Sequence, residues 1–343
     1  MDLSLLPAEL VLNLVKHMDM ATLLSFMITN KSNHSLVRSY EHSICKAKVE
    51  GISALTTKRN FLSSSDVYRE VCAPDTFPWV CELELRERRI ADIISSGYID
   101  ITSPPGLQPL TTVQQKRFIA LLERSLRHCD AIADVAASMP DALPEYDYTL
   151  VSSGFWGHMA RLPASMRTRN PFTNTPARSA QIEYIKSLPV EDLAALYVTI
   201  TAAGAGHVQD RPDVQADPSF SERLTVFEEC VLRHGTWFFW AQVSAQAKRK
   251  KWTNTTSIAV DDDPQVERKL ASRNLTLREM TGYMLIAGMS ELIEWETGAE
   301  DVPPGLRMSL LDAAEDRFED DEGRPPVYHL YKLVRKLVFE GKE

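Results

Sequence analysis

The sequence predicts a mostly α protein, with a three-helix module over residues 1–49 followed by a larger, irregular α-helical domain over residues 50–343. Three observations predict it. Apolar residues recur at steps of three and four along much of the chain, proline and acidic helix-start signals precede several of these runs, and alternating strand-like segments are scarce.

The module comes first. Pro7 stands where a first helical turn tolerates a missing N–H, and Leu10, Leu14 and Met18 then step by four, with Val11 and Val15 one position round. Asp19 is placed to cap a second helix carrying Met20, Leu23, Leu24, Met27 and Ile28. After the polar turn Asn30–Asn33, a third helix carries Leu36, Val37, Tyr40 and Ile44. So small a unit, apolar nearly all round, buries too little surface to offset its chain entropy. A partner, the rest of the chain, or both must cover it.

In the larger domain, residues 111–138 place Phe118, Leu122, Leu126, Cys129, Ile132 and Ala136 on one helical stripe. Pro189, with Glu191 and Asp192 in the first turn, starts a helix through Leu193, Leu196, Tyr197 and Ile200. A third helix begins near Ser219–Ser221 and runs through Leu224, Phe227 and Val231 to a break at Gly235. Two more cover about 276–295 and 326–339. The last has Leu330, Leu333, Val334, Leu337 and Val338 on its stripe, with Lys332, Arg335 and Lys336 off it, near the end where the helix dipole favours cations. Tyr148–Val151 and Thr256–Val260 are the only short strand candidates. Breakers fall at 102–109, 140–176, 204–218, 261–264, 297–305 and 319–326, and no segment repeats at a fixed period of 20–50 residues, so leucine-rich, kelch and WD-type architectures have no support.

Composition narrows the function classes. With 44% hydrophobic and 25% charged residues the chain is neither disordered nor fibrous. No apolar run approaches the ~20 residues that span a bilayer; the nearest candidate, Met280–Ser290, is uncharged but about half that length. The start of the chain lacks the basic and continuous apolar regions of a secretory signal, so the tripeptides at Asn30, Asn33, Asn254 and Asn274 are expected to stay unglycosylated. Cys45, Cys72, Cys81, Cys129 and Cys230 are odd in number and scattered, which argues against a disulfide framework and against a zinc cluster. A cytoplasmic or nuclear protein is expected. Residues 1–49 hold five Lys/Arg against four Asp/Glu, or +1, leaving −10 of the total −9 on the remainder. Broad attraction to nucleic acid or to an anionic membrane is not expected.

The order of features over residues 3–49 carries the most specific signal. Leu6-Pro7-x-Glu9-Leu10, a helix, the Asp19 turn, Leu23-Leu24 and a third helix together resemble the F-box, and the continuation Leu36–Cys45 is similar to fungal F-box proteins. It departs from many members in carrying Asn30 and Asn33 where they have a cysteine and then a tryptophan at the start of the third helix, a change expected to weaken adaptor affinity. The resemblance implies docking on a Skp-type adaptor, and through it on the cullin and RING subunits of a ubiquitin ligase. Carried over onto this sequence, the adaptor contacts are Leu6, Pro7, Leu10, Leu14, Leu23, Leu24 and Ile28, with Leu36 supporting.

Other features are weighed individually. Trp237-Phe238-Phe239-Trp240 is the densest aromatic cluster; it reads as core packing, or as Trp237 and Trp240 lining a groove that grips a target. Lys248–Lys251 reads as a solvated helix end or a nuclear-import patch, and the six acids from Glu315 to Glu322 as a solvated helix end or a docking site for a basic partner. The sequence contains no H-E-x-x-H, Gly-rich phosphate loop or G-x-S-x-G elbow, and the loop Ser152–His158 matches no nucleophile arrangement. Neighbouring residues on a helix face apart, so His128 and Cys129 do not form a nucleophile–base pair. The expectation is a non-catalytic receptor with no cofactor or metal, recruiting an unidentified target protein. A scaffold bound to the adaptor outside any ligase is the alternative, and an α-helical enzyme a third reading.

Overall fold

The computed structural model describes residues 7–49, 61–62, 71–137, 175–209, 220–254, 305–318 and 323–341. It bears out the mostly α class. The chain divides into two compact units, Met1–Arg88 and Arg89–Glu343.

In the first unit, α1 (Ala8–His17) starts where Pro7 turns the chain at φ −55°, its carbonyl accepting from the Leu10 and Val11 N–H groups at 3.0 and 3.2 Å. Asp19 caps α2 (Met20–Thr29) as expected, Oδ1 accepting from the Thr22 N–H at 2.7 Å and Oδ2 from its hydroxyl at 3.0 Å. These bonds hold the Asp19 carboxyl below its ordinary value. Asn30 then caps α3 (Lys31–Ser39) through the Ser32 N–H, at 2.8 Å.

The single third helix is corrected to two. The chain breaks at Tyr40 (φ −114°, ψ 15°) and resumes as α4 (Glu41–Val49). Tyr40, expected on the apolar stripe, is exposed at this break. The break frees Glu41 for a second element: its carboxylate accepts from the Phe77 N–H at 2.8 Å and pairs with Arg38 at 2.6 Å. Phe77 opens α5 (Phe77–Ser95), so Glu41 satisfies an orphan donor of that helix, and the Arg38 guanidinium lies 5.6 Å from the Phe77 ring centroid. A two-residue antiparallel pair, β1 (Phe61–Leu62) with β2 (Val71–Cys72), sets Phe61 opposite Cys72.

The expected boundary at residue 49 therefore falls inside a unit. Cys72, Phe77, Trp79, Val80 and Leu83 share one core with Val11, Val15, Met20, Leu23, Phe26, Met27, Val37 and Ile44. The apolar surplus of the helical module is covered from within the chain, by the start of α5. Glu84 of α5 also accepts from the Met20 N–H at 3.2 Å, and the Lys48 ammonium donates to the Met18 carbonyl.

In the second unit, α6 (Thr112–Ala137) packs against α7 (Thr175–Ser187), α8 (Val190–Val208) and α9 (Phe220–Asn254). The expected stripe Phe118, Leu122, Leu126, Cys129 and Ile132 is fully buried. Helix α8 is buried nearly all round, so its small residues admit close neighbours. A Cβ on Gly206 would meet the Tyr98 carbonyl at 2.1 Å.

At Gly235 the expected break is instead a kink: φ is +68°, and α9 resumes at Thr236. Buried Asp130 of α6 caps the restart, accepting from the Thr236 N–H at 2.8 Å and from its hydroxyl at 2.9 Å. Glu229 does the same for α10 (Leu306–Glu315), accepting from the Leu306 and Arg307 N–H groups at 2.9 Å each and pairing with Arg178 at 2.7 Å.

The last helix, α11 (Pro326–Arg335), continues as a π-helical turn, Lys336–Glu340. Of its stripe, Leu330, Val334 and Val338 are fully buried and Leu333 and Leu337 half-buried, against α8, α10 and α6. Among the described residues no single helix is long and apolar enough to cross a membrane; α7 and α8 pass together but meet at 119°. The expected helix at 276–295, both strand candidates and the Ser152–His158 loop lie outside the described residues.

Candidate docking surface

Helices α1 and α2 place their apolar residues on two sides. Val11 and Val15 of α1 and Met20, Leu23 and Met27 of α2 face the core of the unit. One position round, Leu10 and Leu14 are 54% and 43% exposed on α1, and Leu24 and Ile28 are 42% and 84% exposed on α2. Each pair is four residues apart and so shares one face of its helix. Large aliphatic side chains left this open keep apolar surface in water, and burying that remainder against a partner is favourable by up to roughly 1.5–3 kcal/mol each.

The carried-over residues thus separate. Pro7, Leu10, Leu14, Leu24 and Ile28 reach solvent. Leu36 is half-buried against the core. Leu23, expected as a contact, is 0% exposed, because the face of α2 that bears Met20 and Met27 turns inward at its position. Leu6 lies outside the described residues. Asn30 caps α3 and Asn33 donates to the Thr29 hydroxyl at 3.4 Å, so the two departures from the F-box pattern hold the α2–α3 corner.

The sequence signal for α5 is Pro78 in a first turn followed by Trp79, Val80, Leu83, Ile90 and Ile93, a helix not among those expected. Tyr40, expected on the apolar stripe of the third helix, is exposed. Its position follows from the break between α3 and α4, which no single helical period announces.

In the second unit, Trp237 is corrected from groove to core. It is 3% exposed, one of a run of buried residues that follows the Gly235 kink. Trp240 reaches the surface in part, but its ring N–H donates to Asp92 at 3.2 Å and the Arg89 guanidinium lies 5.6 Å from its ring centroid. The side chains of Lys248–Lys251 and residues 319–322 of the acidic run lie outside the described set, while Glu315 and Asp316 are solvated.

The polar cluster nearest to a catalytic pattern links three helices. His128 of α6 is 3.1 Å from the Tyr184 hydroxyl of α7 and 3.4 Å from the Asp192 carboxylate of α8, which Arg124 also pairs at 2.6 Å. Burial pushes the Asp192 carboxyl up, but the hydrogen bond and charge of His128, with Arg124, outweigh it and hold the group below its ordinary value. Both His128 and Asp192 are almost wholly buried, so the cluster fastens α6, α7 and α8 together. Burial pushes the thiols of Cys45 and Cys81 up to about 12 and about 11, away from thiolate chemistry. Among the described residues no three His, Cys, Asp or Glu side chains are grouped to hold a metal ion.

Compared with known protein families, residues 3–42 match the F-box domain. The chain matches no curated protein and no solved structure.

Proposed function

We propose that this chain is the substrate-receptor subunit of a cullin–RING ubiquitin ligase, docking on a Skp-type adaptor through α1 and α2 and holding a target protein on residues 89–343. The observation that carries the reading is the pairing of an F-box match over residues 3–42 with exposed Leu10, Leu14, Leu24 and Ile28 on helices whose inward faces are already buried. F-box domains bind Skp-type adaptors, and an interface needs apolar anchors of this kind, free in the unbound protein.

The work such a receptor performs is proximity. Adaptor, cullin and RING subunits bring a charged conjugating enzyme near a lysine of the held target, raising the effective concentration of the reacting pair. The chain's own residues then bind and orient, and no bond is made or broken on them. Leu23 and Leu36 support the docking face from beneath, and the caps Asp19 and Asn30 set the ends of the helices that present it.

The test is calorimetric titration of purified adaptor against the wild type and a Pro7→Ala/Leu10→Ala double variant. Loss of a pre-set turn and one anchor should weaken binding about tenfold or more. Both positions are exposed, so the melting curve should move little. No binding by the wild type, or an unchanged affinity in the folded variant, would sink the docking assignment. Co-purification of a cullin with the adaptor distinguishes a ligase subunit from an adaptor-bound scaffold.

A further inference from the structure

The second unit carries an open groove of about 590 Å³ along α11 and its π-helical turn, reaching Gln108. Its lining is of two kinds: Phe318, Leu333 and Phe339 supply apolar surface, while Lys332, Arg335 and Lys336 supply positive charge. Glu340 is the lining's carboxylate, so three Lys and Arg side chains face one anion, a formal +2 in a chain of −9.

The three cations stand three and four residues apart, share one side of the helix and repel one another. Among the described residues none of them has a carboxylate partner; Arg335 donates to the Gly106 carbonyl at 3.0 Å. The helix dipole accounts for little of this arrangement. Arg117 already donates to the terminal Val338 and Phe339 carbonyls at 3.2 and 3.1 Å, and Lys332, in the last turn of α11, lies about two turns before the end of the π-helical turn that continues it. Among the described residues, this positive ridge beside aromatic and aliphatic walls has no carboxylate paired to it.

We infer that this groove binds an acidic peptide segment of a partner protein, with Asp or Glu side chains on Lys332, Arg335 and Lys336 and one apolar side chain against Phe318, Leu333 and Phe339. The inference rests on the reading that residues 89–343 hold a target, and it names the chemistry of that target's docking segment. A polyphosphate fits less well, because three cations on a strongly acidic chain offset few phosphates. A flat bilayer does not enter a groove. Glu319, Asp320, Asp321 and Glu322 follow Phe318 directly in the sequence, so the chain's own acids are the competing occupant.

Fluorescence anisotropy on the full chain tests this, with a fluorescein-labelled dodecapeptide of Asp and Glu around one central Phe as the probe. Saturable binding is expected at low salt, roughly tenfold weaker for Lys332→Glu/Lys336→Glu, several-fold weaker for Lys332→Gln/Lys336→Gln, and fading as salt is raised. An Asn/Gln version of the peptide should bind at least tenfold more weakly. The inference is overturned if the wild type does not bind the probe, if both folded variants bind it equally well, or if phosphatidylserine vesicles or duplex DNA bind as tightly. It is also overturned if binding emerges only after Glu319→Gln/Asp320→Asn/Asp321→Asn/Glu322→Gln, which would place the chain's own acids in the groove. Adaptor titration of the same samples is unaffected by the groove variants, so failure of the ligase reading and failure of the groove are separate results.

Discussion

Ending the chain after Val49 removes the residues that close the core of the first unit. Phe77, Trp79, Val80 and Leu83 are 2%, 2%, 0% and 7% exposed, in one cluster with the inward faces of α1 to α4. At roughly 1.5–3 kcal/mol for each fully buried side chain, their loss is worth about 6–12 kcal/mol, which reaches the ~5–15 kcal/mol total stability of an ordinary domain. Two polar fastenings go with them, Glu84 to the Met20 N–H and Glu41 to the Phe77 N–H. A fragment of residues 1–49 should therefore show no cooperative thermal transition by circular dichroism, whereas residues 1–95, which keep α5 entire, should melt cooperatively. Within the full chain, Phe77→Ala should destabilise the first unit by about 3–5 kcal/mol, read by faster hydrogen exchange of the α2 amides. If the 1–49 fragment melts cooperatively at the temperature of the longer one, α5 is a neighbour of the docking module and not part of its core.

Three further outcomes follow from the second unit and from the caps. Gly235→Ala meets both a positive φ and a contact of 2.4 Å with Asp130 Oδ1, so it should cost at least the ~1–3 kcal/mol of a strained backbone, and an unchanged melting temperature would contradict the kink. Asp19 and Asp192 have carboxyls held below the ordinary aspartate value of 3.8. Their stabilisation is complete above that value and is lost as pH falls through the lower folded-state pKa, so Asp192→Asn should flatten the loss of stability measured by urea melts below about pH 4. Identical pH profiles for variant and wild type would refute it. Truncation after Gly323 uncovers the contacts of Leu330, Val334 and Val338, all 0% exposed, at a cost of roughly 4.5–9 kcal/mol; a soluble product with an unaltered melt would make α11 an appendage.

What the sequence determined alone is local. The cap at Asp19, the starts of α1 and α8 at Pro7 and Pro189, and the stripes of α6 from Phe118 to Ile132 and of α11 follow from side chains within a few residues of one another. The order of apolar and polar residues over 3–42 likewise sufficed to identify the F-box domain. The tertiary structure decided what depends on residues distant in the chain. Which of two adjacent leucines, Leu23 or Leu24, turns inward depends on which side of α2 its neighbours cover, and both sides of that helix are apolar enough to serve. The split at Tyr40 accompanies a contact of Glu41 with Phe77, 36 residues on. Gly235 kinks a helix that its own residue type would only interrupt, because Asp130, 106 residues from Thr236, caps the restart. Trp237 and Trp240 are alike in sequence, yet the packing after that kink buries one and leaves the other partly open. Short-range hydrogen bonds and helical period are written in neighbouring residues, whereas the choice among equivalent apolar faces is made by whatever the folded chain brings against them.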